Sequence, residues 1–110
     1  MEKIISSAES ESAFKKLGDA LKGAEASKMF GMPCYKINGK AFLGLYNNDS
    51  VFKLSGEFHA SALALKGAKL FDPSGMNRPM KEWVQMPSSH KSKFGLLAEE
   101  AYKYVKKSAK

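Results

Sequence analysis

Between residues 29 and 54 the hydrophobic positions crowd together and alternate, with aromatic and β-branched side chains set between turn residues. That is the composition of a pleated, half-buried surface, and it predicts an antiparallel meander. Asn38-Gly39 marks its first reversal. Both central residues of a type I′ turn need positive φ, which Asn and Gly tolerate best. Gly31 and Pro33 fall inside the first strand, where glycine favours a bulge and proline cannot donate to a ladder, so this strand is expected to bend or to lie at an edge. After the turn, Ala41, Leu43 and Leu45 are expected on one side and Phe42, Gly44 and Tyr46 on the other. Both sets are apolar, which suits a central strand covered on both faces. Asn47 to Ser50 forms the second reversal, and Phe52 and Leu54 lead the third strand.

On either side of the meander the period changes to that of a helix. Phe14, Leu17 and Leu21 recur at i, i+3 and i+7 behind the capping-box spacing of Ser6 and Glu9, predicting a helix over residues 8–22. Gly18 weakens its interior and Gly23 stops it. Ser55 can cap a short helix over 56–66, with Phe58, Ala62 and Leu65 on its inner face. Strands follow over 69–71 and 82–86, separated by the turn chemistry of Asp72-Pro73-Ser74-Gly75. The last helix, 89–107, has the clearest period: Phe94, Leu97, Ala98, Ala101 and Val105 form one stripe. Helix, three strands, helix, two strands, helix is an α+β order, expected as a two-layer sandwich, α-β(3)-α-β(2)-α, with a five-stranded antiparallel sheet.

Composition adds limits. At 110 residues the chain, residues 1–110, is expected to form one domain. No apolar run approaches a membrane span, the N-terminal residues lack the apolar core of a signal peptide, and there is one cysteine. A cytoplasmic, reducing location is therefore the expectation, with no membrane partner. The net charge of +7 is concentrated in residues 61–110, where ten basic groups face four acids. Such a surplus attracts polyanions, so nucleic acid is one partner class, contacted by Lys103, Lys106, Lys107 and Lys110. A solvated helix end explains the same lysines, and no stacking platform accompanies them.

Two residues invite chemistry. Cys34 is the only thiol, but a nucleophilic cysteine needs a base and cationic surroundings, and the chain has only His59 and His90. A buried, inert cysteine is the expected reading. Arg78 is the sole arginine among eighteen basic residues, and its planar fork suits a carboxylate, a phosphate or a set of loop carbonyls. Anchoring of its own loop is the favoured role. No metal-ligand spacing, phosphate loop or nucleophile elbow is present, so no catalytic residue, metal or cofactor is expected.

Met29-Phe30-Gly31, Asn38-Gly39-Lys40-Ala41-Phe42 and Arg78-Pro79-Met80-Lys81-Glu82-Trp83 together resemble the TfoX N-terminal domain family, over about residues 29–105. The family is named for a regulator of DNA-uptake competence in bacteria, and its fold looks like that of secretion chaperones. This chain departs from it in having Met32-Pro33-Cys34-Tyr35 where a Met-Phe-Gly-Gly stretch is common, and residues 1–110 are expected to hold no counterpart of the second, helical domain of full competence regulators. The resemblance implies a non-enzymatic regulatory or adaptor domain that binds a macromolecule, with protein as the favoured partner. Tyr35 and Tyr46, on the second sheet face, are then candidates for a contact or homodimer surface.

Overall fold

A computed structural model of the chain describes residues 8–29, 32–46, 48–72 and 80–108. The fold is α+β. In chain order it comprises helix α1 (Ala8–Asp19), strands β1 (Glu25–Met29), β2 (Met32–Ile37), β3 (Lys40–Tyr46) and β4 (Asp49–Lys53), and helix α2 (Gly56–Leu63). Strands β5 (Lys69–Phe71) and β6 (Met80–Met86), a 3-10 helix (Ser88–Lys93) and helix α3 (Phe94–Ser108) complete it. The strands form one sheet in the order β1-β2-β3-β4-β6-β5, antiparallel at every pairing.

The sheet thus has six strands where the sequence suggests five. The additional one is β1, Glu-Ala-Ser-Lys-Met, which has neither the alternation nor the β-branched residues of a strand. It is recruited by pairing with β2, from Glu25 opposite Lys36 to Met29 opposite Met32. This moves Pro33 away from the sheet edge, since β2 is second in the order and Pro33 sits opposite Lys28 of the edge strand.

The Asn38-Gly39 turn has the expected geometry, with φ of 52° and 80°. Just beyond it lies a one-residue irregularity between β2 and β3. Tyr35 pairs with Leu43 but Lys36 pairs with Ala41, which leaves Phe42 as one extra residue on β3. A bulge of this kind resets the inside-outside alternation of its strand. Phe42 consequently joins Leu43 and Leu45 in the core beneath the helices, while Ala41 and Tyr46 pack on the opposite face. The even alternation expected for this strand is corrected by that one residue.

The helical layer covers one face. Phe14 of α1 meets Tyr35 with ring centroids 5.2 Å apart, and Phe94 of α3 meets Phe52 at 5.4 Å. The α3 stripe, Phe94, Leu97, Ala98, Ala101 and Val105, is buried as its period predicts. Each larger side chain fully removed from water here contributes about 1.5–3 kcal/mol. The last helix starts later than expected because Ser88–Lys93 winds as a 3-10 helix, with His90 outside helical geometry at φ −102° and ψ 21°. On the other face Met32, Val51, Phe71 and Trp83 are buried, with Ala41, Tyr46 and Met80 packed against them. β3 is therefore apolar on both sides, as its sequence implies. Gln85 donates to Asp49 across β6 and β4 at 2.8 Å.

Candidate functional site

The chemical candidates separate from one another. Cys34 is 1% exposed, and burial pushes its thiol above the usual range, an effect that the nearby Lys36 charge only partly opposes. Its proton is held. The two histidines are committed elsewhere: His59 Nε2–H donates to the Lys81 carbonyl at 2.6 Å, and His90 Nε2–H donates to the Lys66 carbonyl at 2.8 Å. The first ties α2 to β6; the second ties the 3-10 helix to the turn after α2. Among the described residues no group of three or more His, Cys, Asp or Glu side chains could hold a metal ion. Arg78 and Lys110 lie outside the described residues.

Tyr35 is corrected as an interface residue. It is 4% exposed on the helix-covered face, its ring tilted against Phe14, with its hydroxyl donating to Asp19 Oδ1 at 3.2 Å. Burial first, and then this hydrogen bond and the Asp19 charge, raise its phenol above the ordinary tyrosine range. It lies in the core beneath the helices and not on the second face with Tyr46, because α1 docks over β2. Tyr46 does lie on the second face, half-buried, with its ring edge-on to Phe71 at 5.3 Å.

Lys103 of α3 is partly neutralised where it stands. Lys103 Nζ is 3.2 Å from Glu99 and 3.6 Å from Glu100. Both carboxylates raise its pKa, the Glu99 hydrogen bond most. Lys106 Nζ sits 5.3 Å from the centre of the Tyr102 ring. The exposed ion pairs of Lys103 add little to stability, but they reduce the charge that it offers to a phosphate backbone, whereas Lys106 keeps its charge over the ring.

What the helices do form is a pair of grooves flanking α3. One, about 500 Å³, runs between α1 and α3, with half-buried Leu17 and Leu21 and buried Ala98 in its lining and Lys16, Lys22 and Lys103 on its rim. Tyr102 braces it, donating its hydroxyl to the Lys22 carbonyl while its ring meets Phe42 edge-on at 5.7 Å. The other, about 250 Å³, lies between the start of α2 and the end of α3 and is lined by Ser55, Phe58, Tyr104, Lys103 and Lys107. Tyr104 is fixed there by donating to Glu82, a bond that, with burial, raises its phenol pKa.

Phe58 is 41% exposed and Leu96 57%. The first corrects the sequence reading, which placed Phe58 with Ala62 on the inner face of helix two. α2 ends at Leu63, and Ala62 is its buried residue. One short turn of contact leaves Phe58 at the rim. Periodicity alone does not find these grooves, because their residues flank the core stripe instead of forming it; the signal available was Tyr102 and Tyr104, two large side chains astride that stripe.

Comparison of the chain with protein-family models, curated proteins and solved structures finds no match.

Proposed function

We propose that this chain is a non-enzymatic regulatory or adaptor module, related to the TfoX N-terminal domains it resembles, that acts in the cytoplasm by binding another protein. The observation that carries this reading is the helical surface, where two grooves with apolar walls and lysine rims flank α3. Exposed Phe58 and Leu96 stand on the same layer. Interfaces are organised in this way, around apolar and aromatic anchors with a polar rim. The buried, protonated Cys34 and the committed histidines support a binding role over a chemical one.

Light scattering on the purified domain, alone and with fractionated extract of the native cell, tests the reading. A complex of defined mass, or a defined homodimer, is the expected result; a strict monomer that retains nothing contradicts it.

Nucleic-acid binding is the second reading, supported by the exposed Lys106 and Lys107 at the end of α3. The pairing of Lys103 with Glu99 and Glu100 weighs against it.

A further inference from the structure

We infer that the groove between α1 and α3 receives an acidic amphipathic helix from a partner protein, an inference that rests on the protein-binding reading above. Charge selects the sign of the partner. The groove lining holds Lys16, Lys22 and Lys103 against Glu99, and Lys106 stands over Tyr102 at its border. Counting Glu100, the second partner of Lys103, four lysines face two acids, and the rim stays positive. Carboxylates on the incoming segment complement it.

Gly95 selects the shape. It lies exposed in α3 and lines the groove, and a β-carbon built on it would meet nothing within 4 Å. Glycine is a poor helix former, and the fold makes no use of the missing side chain. Alongside Ala20 and Ala98, it lets a neighbouring backbone come close, with Leu17 and Leu21 available to apolar side chains. A helix fits this better than a strand. The walls are helices whose backbone groups are satisfied internally, so they offer no ladder to an extended peptide, whereas apolar anchors at i, i+3 and i+7 pack into a groove between helices. The apolar floor also favours a protein segment over a phosphate backbone, which would gain nothing from Leu17 and Leu21.

The test is an amide-resonance titration of the full chain with two synthetic helical peptides of about 18 residues, five turns, each with leucines on one face. One carries glutamates elsewhere and the other lysines. The glutamate peptide is expected to shift Leu17, Leu21, Gly95 and Ala98 and to bind more weakly as salt rises; the lysine peptide is expected to leave them unmoved. Gly95→Trp, which fills the groove, should weaken glutamate-peptide binding at least about tenfold without lowering the melting temperature. Gly95→Ala, which suits a helix, should weaken it less while the fold stays intact, and the charge-reversed pair Lys16→Glu and Lys22→Glu should weaken it as Gly95→Trp does. Shifts centred on Phe58, or affinity unchanged in Gly95→Trp, would overturn the inference and leave the protein-binding reading standing. Absence of any peptide binding also overturns it, and only if the domain additionally retains no protein from extract does the wider reading fall.

Discussion

The ring of Tyr35 occupies the space that a β-carbon on Gly18 would fill, with the nearest ring atoms 2.2 Å from that position. Gly18 is buried in the body of α1, and the Tyr35 hydroxyl crosses to Asp19 on the same helix. A glycine that sequence propensity marks as a weakness is the seat on which α1 docks to β2.

Gly18→Ala should therefore destabilise the protein, although alanine is the better helix former by about 1 kcal/mol. Overpacking costs about 1–3 kcal/mol and outweighs that gain. Denaturant unfolding measures it, and a stabilised variant would show that the ring does not sit on α1. In a double-mutant cycle, Tyr35→Leu should relieve part of the loss, since the two positions touch.

Tyr35→Phe should cost about 1 kcal/mol near neutral pH through loss of the bond to Asp19. Its pH dependence has a definite sign. The folded phenol holds its proton more tightly than the unfolded one, so this contribution is complete below the unfolded tyrosine pKa of about 10 and is lost as pH rises through the raised folded value. Wild type should lose stability faster than Tyr35→Phe above about pH 10. The raised Tyr104 phenol leaves a residual slope in both. Parallel alkaline limbs for the two proteins would contradict the assignment.

Cys34 should resist thiol reagents in the native state. With 1% exposure it reacts only through opening of the structure, and an opening free energy of about 3 kcal/mol or more slows the reaction on the order of 100-fold relative to the unfolded chain. Labelling kinetics with and without denaturant check this. Equal rates would return Cys34 to consideration as a reactive group.

Any binding to DNA should depend only weakly on salt. Lys103 is tied to two carboxylates, which leaves Lys106 and Lys107 as the described contacts at this end of α3, and the log-log slope should lie near −0.9 per phosphate, about −1.8 in all. A slope near −3.6, equivalent to about four phosphates, would indicate that the lysine cluster acts as a whole.

The sequence carries the helix-rich layer well. The α3 stripe and the Asn38-Gly39 turn are determined by periods and backbone preferences that act over a few residues, and both are as expected. The departures arise where a partner element decides the outcome. β1 has no strand-like composition and exists by pairing with β2; Phe42 changes face because β2 and β3 run out of register at Tyr35 and Lys36; Phe58 is exposed because α2 is short. The same applies to the candidate surface. Lys103 reads as free charge in sequence, yet Glu99 and Glu100 stand one turn away at i−4 and i−3 and meet it. Grooves arise between helices, so residues as distant as Leu17 and Ala98 line one hollow with no local pattern joining them.

Protein binding by this domain can be read from affinity capture from the native cell with nuclease-treated and untreated samples compared, using wild type and Gly95→Trp as baits. The expected result is one protein retained equally with and without nuclease and diminished on the Gly95→Trp bait. Retention that disappears with nuclease treatment, on both baits alike, would contradict protein binding through the α1–α3 groove and favour nucleic acid.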